Sequence, residues 1–312
     1  MITGRRAALA LLVLLLACND STGPGGSSGQ AFSITVRYVD RSPPTAAVVG
    51  AFNRAAATWE RIIVDSVGSL PVNLAAGACD SSQPAINQQV KDLLILVHVR
   101  EISDTVSGQS ILGESGPCLV RDPGNIPVLG VMSLNSATLS SLAGSGLLDD
   151  VVKHEMAHLL GFGTVWDLDH LLRDSSTSNP WFSGADAQTA FRSADPGYGD
   201  KVVPVEAGGG AGTTLSHWRE SVMTNELMTG FINNPGPNPL SAITIESMAD
   251  LGYTVDVSQA EPWPTPGSGM TAARTGRPAP ASVVVAPAPH TLLRAPRFSV
   301  TRSGEVRPLP DR

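Results

Sequence analysis

The chain has 312 residues and a mass of 32.4 kDa, enough for one large or two modest domains with an apolar core. It is 42% hydrophobic but only 16% charged, with 31 Gly and 24 Pro, so small polar residues and loops must supply much of the surface. Residues 18 to 261 carry 12 Lys/Arg against 26 Asp/Glu, and an acidic body of that kind excludes nucleic acid as the natural partner, because phosphate binding requires the opposite sign.

The chain opens with Arg5 and Arg6 followed by an apolar run from Ala7 to Ala17. Eleven residues are about half of what a transmembrane helix needs and suit the apolar region of a signal peptide, so residues 1–17 read as an export signal. The run ends in Leu15-Leu16-Ala17-Cys18, which resembles the bacterial lipobox, where the cysteine is lipidated and becomes the first mature residue. The expected location is therefore the cell envelope, with Cys18 as the lipid anchor in the membrane; the alternative is cleavage nearby and release as a secreted protein. Residues 18–31, rich in Gly and Ser, read as a flexible linker. Cys79 and Cys118 then remain, an even number in an oxidising compartment, and a disulfide between them is expected over two buried thiols.

Residues 32 to 39 alternate apolar and polar, a half-buried strand. From Thr45 to Val67, Val48, Phe52, Ala55, Ala56, Trp59, Ile62 and Ile63 recur at helical spacing, which predicts a long amphipathic helix with Phe52 and Trp59 in the core. The run L-L-I-L-V-H-V within 92–102 predicts an inner strand carrying His98 as a satisfied sheet histidine. A Gly-rich loop is expected through Cys118, then a strand over 126–134 and a helix from about Leu147 to Leu160. Residues 165 to 216 have little periodicity and read as loops, and Leu240–Leu251 as a short helix. From residue 262 on, 10 prolines in 51 residues indicate a Pro/Ala/Arg-rich tail without a core of its own, expected to be disordered. The element order, strand, helix, strands, helix, makes the N-terminal half a mixed α/β or α+β unit, and α+β is the fold class expected.

His154-Glu155-Met156-Ala157-His158 is an H-E-x-x-H arrangement on the helix over 147–160. At 100° per residue the two histidines lie about 40° apart on the helix, so both imidazoles leave one side and can take two positions of a zinc tetrahedron. Glu155 sits beside that face, and Leu148, Val152, Met156, Leu159 and Leu160 form a separate apolar stripe for the sheet. A catalytic zinc normally has a third protein ligand and an open position for water. His170, Asp167, Glu206, Glu220 and His217 are the donors available for it.

The continuation Leu159-Leu160-Gly161-Phe162-Gly163-Thr164 resembles the metzincin metallopeptidases, whose motif adds a glycine and then a third histidine. Thr164 stands where the compact form has that histidine. The leishmanolysin family, which this chain resembles over roughly 32 to 257, inserts a long segment there and takes its third histidine from the far end, followed by a methionine turn. Here His217 heads H-W-R-E-S-V-M-T-N-E-L-M-T-G, with Met228 eleven residues on. The resemblance implies a metzincin-like zincin with a mixed twisted sheet, a long helix, and an active-site helix above a loop-rich C-terminal subdomain. It implies one zinc per chain on His154, His158 and His217, Glu155 as general base, and Met228 as the Met-turn residue. It further implies a zinc-dependent endopeptidase acting on polypeptides, with the strand at 127–134 as the sheet edge along which an extended substrate lies. The domains are then 32–163, an N-terminal catalytic subdomain; 164–261, the insertion and C-terminal subdomain; and 262–312, the tail. Two other readings are a zinc-binding adhesion or binding lipoprotein without catalysis, and a zinc hydrolase of small amides.

Overall fold

Leu93–Val97 is apolar at every position because both faces of the strand that carries it are covered. Leu93, Ile95 and Val97 join one hydrophobic cluster, and Leu94 and Leu96 join another on the opposite side. The computed structural model describes residues 30–103, 105–106, 109–194, 202–210, 212–233, 236–263 and 291–310. The apolar leader, Cys18 and the spacer through residue 29 lie outside the described residues.

The first half of the chain consists of β1 (Ile34–Tyr38), α1 (Ala46–Ile62), β2 (Ser69–Leu74), β3 (Ile86–Lys91), β4 (Leu93–Arg100), β5 (Thr105–Val106), β6 (Gln109–Ser110), β7 (Gly113–Asp122), β8 (Pro127–Asn135), α2 (Leu139–Ser145) and α3 (Leu148–Leu159). The second half adds β9 (Leu172–Arg173), β10 (Trp181–Phe182), α4 (Ala185–Ala194), β11 (Val203–Pro204), α5 (Glu220–Met223), α6 (Ala242–Asp250), β12 (Thr291–Leu293), β13 (Phe298–Thr301) and β14 (Val306–Pro308). Among the described residues the main sheet has the order β1-β4-β8-β7-β13-β14, with β12 also paired to β7. β1, β4 and β8 are parallel, and β7 runs antiparallel to β8. This is the expected mixed α+β architecture.

α1 starts where the Thr45 hydroxyl accepts a hydrogen bond from the Val48 amide. Phe52 and Trp59 are fully buried core residues, and the Trp59 indole donates to the Lys153 carbonyl at 3.1 Å, tying α1 to α3. The helix stops at Ile62, short of Val67, because Ile63 bridges Val255 and the Val64 amide donates to the Thr254 carbonyl. Tertiary pairing overrides the helical pattern there. On the opposite face of the sheet the β2–β3 hairpin packs Leu70, Val72, Leu74, Ile86 and Val90 against Leu94, Leu96 and Val131. Cys79 and Cys118 form the expected disulfide, joining the segment between those two strands to β7. His98 is a buried sheet histidine with Nδ1 3.0 Å from Asp40 Oδ1.

Four sequence expectations need correction. The strand at 127–134 is β8, but it lies between β4 and β7 and is no edge. β7 was hidden because its Gly113, Gly116 and Pro117 read as loop, whereas Pro117 sits where the β7–β8 register shifts, a place that tolerates a residue lacking an amide proton. The stretch over 165–216 is not all loop. It contains α4, which buries Ala187 and Phe191 and is too thinly apolar to show a period, and a small β11-β10-β9 sheet. The final stretch is not disordered throughout. β13 pairs in parallel with Leu119–Asp122 of β7 and antiparallel with β14, burying Val300 completely. Proline content reports the lack of an independent core, and these strands need none because they complete an existing one. Residues 264–290 lie outside the described residues. Among the described residues no helix is long and apolar enough to cross a membrane.

Val300→Ala tests this placement. It removes two buried methyl groups from the sheet face and should cost about 2 kcal/mol in urea unfolding. Stability equal to wild type would return the segment to the status of an unpacked tail.

Candidate metal centre

α3 packs on β7 and β8, and its second half is buried on all sides, from His154 to Leu159. The apolar stripe predicted for the sheet holds, with Val152, Met156, Leu159 and Leu160 in the core. The histidine face turns toward the C-terminal segments instead of solvent. At the helix end Gly161 (φ 113°) and Gly163 (φ 71°) take left-handed backbone and turn the chain under the helix. Gly163 is required twice, since a Cβ there would lie 2.2 Å from the Ser216 carbonyl oxygen. That contact brings the residue preceding His217 to the foot of α3. Thr164, the residue in the place of the compact motif's histidine, spends its hydroxyl on the His158 carbonyl at 2.8 Å.

The insertion folds around an aromatic cluster. Phe162, Trp166, Phe182 and Trp218 have ring centroids 4.6 to 5.5 Å apart, and all are fully buried. Trp218 follows His217, so the cluster anchors the third imidazole to a rigid body. The Trp218 amide also donates to the Met228 carbonyl at 3.0 Å, and its indole to the Thr244 hydroxyl at 2.8 Å.

Three Nε2 atoms converge in an almost equilateral triangle. The separations are 3.0 Å for His154–His158 and 3.1 Å for both His154–His217 and His158–His217. Each Nδ1 faces a backbone carbonyl: Leu227 at 2.7 Å for His154, Phe162 at 2.8 Å for His158 and Thr213 at 3.2 Å for His217. An Nδ1 that donates to a carbonyl carries the proton, so each Nε2 presents a lone pair to the other two. Lone pairs cannot hydrogen-bond one another, and a shared cation resolves the conflict. Ligands at about 2.0–2.1 Å from a tetrahedral zinc stand roughly 3.3 Å apart, close to the observed triangle. The chemistry and spacing of the donor set therefore fit one zinc ion, and these three residues form the metal-capable group found among the described residues. Burial, reinforced by the neighbouring imidazoles, holds His158 and His217 well below the usual imidazole range, which keeps them neutral ligands.

Glu155 is buried on the same helix, and the Ser115 hydroxyl of β7 donates to its Oε2 at 2.5 Å. Sequence reasoning missed Ser115 because its strand was hidden, and it missed the three carbonyls because a backbone acceptor has no residue signature. Of the competing donors, His170 is exposed with φ 54°, and Asp167 is also exposed. Glu206 accepts from the amides of Gly208 and Glu220, and burial pushes the Glu220 carboxyl up to about 7. None of the four joins the cluster. Met228 is buried in the turn that offers the Leu227 carbonyl to His154.

The family model for leishmanolysin, peptidase M8, matches residues 86–271, more than half of the chain. Leishmanolysin of Leishmania donovani is 32% identical over 178 residues, 53% of this chain and 29% of that protein. Leishmanolysin of Leishmania chagasi is 31% identical over 176 residues, covering 53% and 28%. A leishmanolysin homolog of Crithidia fasciculata is 31% identical over 134 residues, covering 41% and 20%. The matches thus span less than a third of these relatives' own length. Matched from β3 past α6, with the metal-capable triangle inside the matched span, the chain belongs to the leishmanolysin family.

Proposed function

We propose that the protein is a zinc-dependent endopeptidase, with His154, His158 and His217 as the metal ligands, Glu155 as the general base and Met228 as the residue of the supporting turn. The observation that carries this reading is the triangle of three converging Nε2 lone pairs, two of them on the stretch of α3 that also carries the Glu155 carboxylate. A zinc ion on those donors supplies Lewis acidity for water and for a peptide carbonyl.

The chain's own groups do the rest. The three backbone carbonyls fix the imidazole tautomers, so the ligand set is preorganised and neutral. Glu155 accepts a proton from water as its oxygen bonds to the scissile carbon, and delivers that proton to the amine nitrogen as the C–N bond breaks. The Ser115 hydroxyl donates to that carboxylate from β7 and orients it. An open groove across the histidines would favour polypeptide and a closed pocket a small amide, and measured turnover would separate this reading from a zinc-binding adhesion lipoprotein. We further propose that the leader directs export and that lipidated Cys18 holds the domain at the cell envelope. This rests on the apolar run and the Leu-Leu-Ala-Cys sequence at residues 15–18.

Glu155→Gln should retain about one zinc per chain by metal analysis while hydrolysis of an unstructured protein falls roughly 10²- to 10⁴-fold. Wild-type turnover in E155Q would remove the general-base role. His217→Ala should lose stoichiometric zinc and, with it, resistance to proteolysis, because ligand binding and folding of the insertion are linked. His170→Ala should retain both, and the reverse pattern would move the third ligand to His170. For the anchor, Cys18→Ser should transfer the protein from the membrane fraction to unprocessed precursor or soluble product. Acylation contributes about 0.8 kcal/mol per buried CH₂, and a mature N-terminus starting downstream of Cys18 in mass spectrometry would make the protein a freely secreted one.

A further inference from the structure

Glu226 has a fully buried carboxyl that the chemistry above does not use. Its Oε2 accepts from the Met228 amide at 2.5 Å. Its Oε1 accepts from the Ser241 amide at 3.1 Å, the Ser241 hydroxyl at 2.8 Å and the Thr244 hydroxyl at 2.5 Å. Ser241 is the N-cap of α6, so one oxygen holds the start of that helix and the other holds the turn at 227–228. A buried acid costs free energy unless its oxygens are satisfied, and four donors with the positive end of α6 offset that cost here. Burial pushes the Glu226 carboxyl up, and those hydrogen bonds oppose the push.

The turn held by Glu226 reaches one of the three imidazoles directly and the backbone beside a second. The Leu227 carbonyl accepts from His154 Nδ1, and the Met228 carbonyl accepts from the amide of Trp218, the residue after His217. Thr244, bonded to Glu226, also receives the Trp218 indole. We propose that Glu226 is a positioning residue of the metal centre. By clamping the Leu227–Met228 turn to α6, it sets the carbonyl that fixes the His154 tautomer and the backbone that carries His217. The inference rests on the ligand assignment above and not on the reaction that the centre performs.

Glu226→Gln keeps the shape and one acceptor oxygen but sets an amide NH₂ against the Met228 N–H, donor against donor. Zinc affinity, measured by competition with a chromogenic chelator, should fall ten- to a hundredfold, the usual cost of losing support behind a metal ligand. The visible spectrum of the cobalt-loaded protein should change with it. Val72→Ala, buried in the β2–β3 hairpin on the far face of the sheet, serves as the control for mere destabilisation. It should lower the melting temperature yet leave zinc affinity within twofold and the cobalt spectrum unchanged. Wild-type zinc affinity in E226Q, or an equal loss in V72A, would overturn the proposal. If E226Q does not accumulate folded, Glu226→Asp, which keeps the charge but withdraws it by one methylene, is judged by the same criteria. Weakened zinc in E226Q without proteolysis in wild type would sink the endopeptidase reading and leave this one standing. Intact proteolysis with unaltered zinc binding in E226Q would do the opposite.

Discussion

Three imidazole lone pairs facing one another within 3.1 Å at buried positions is an arrangement that no protein adopts for its own sake. Without a shared cation it is repulsive, and burial denies the rings the water that would otherwise satisfy them. Most of what surrounds the triangle can be understood as the means of enforcing it. The three Nδ1 acceptors come from the end of α3, from the loop before His217 and from the turn before Met228, so each ring is locked by a different part of the chain.

That dispersal explains why the insertion is built as it is. A ligand 59 residues from its partner has to be delivered by a segment with few regular elements, and a loose segment would not hold a nitrogen to tenths of an ångström. The Phe162–Trp166–Phe182–Trp218 cluster gives the segment a core of its own, next to the helix end it must meet. Gly163 lets the two backbones touch, and Tyr253 donates to the Leu160 carbonyl to hold the same corner from the other side. Rigidity at the metal thus comes from aromatic packing and backbone approach and owes little to secondary structure.

The parts of this design that were legible in the sequence are those written in side-chain type and period. H-E-x-x-H marks a helix face, the unbroken run at 93–97 marks a strand covered on both sides, and the Phe52/Trp59 spacing marks a core helix. His217 could be singled out by the family likeness, since spacing by itself left His170 open as well. What stayed hidden depends on backbone or on borrowed surroundings. β7 looks like loop because glycine and proline interrupt it, although its pairing to β8 supplies the order that composition denies. Glu226 looks like any acid in a polar stretch until the fold surrounds it with four donors. α4 has two buried contacts a turn apart, Ala187 and Phe191, and two points do not make a period.

The strands after residue 290 give the molecule a particular order of assembly. Arg294 pairs with Glu114 across 180 residues of sequence, and β13 lies against the β7 residues that follow. On the ribosome, β7 emerges long before its neighbour exists, so one side of the strand beside Glu155 waits with unmatched amides and carbonyls until residues 291–301 have been made. During that interval it is a template for any extended chain nearby, including another nascent copy. A chain cut before residue 291 would make the interval permanent, leaving that side of β7 without the strands that pair with it.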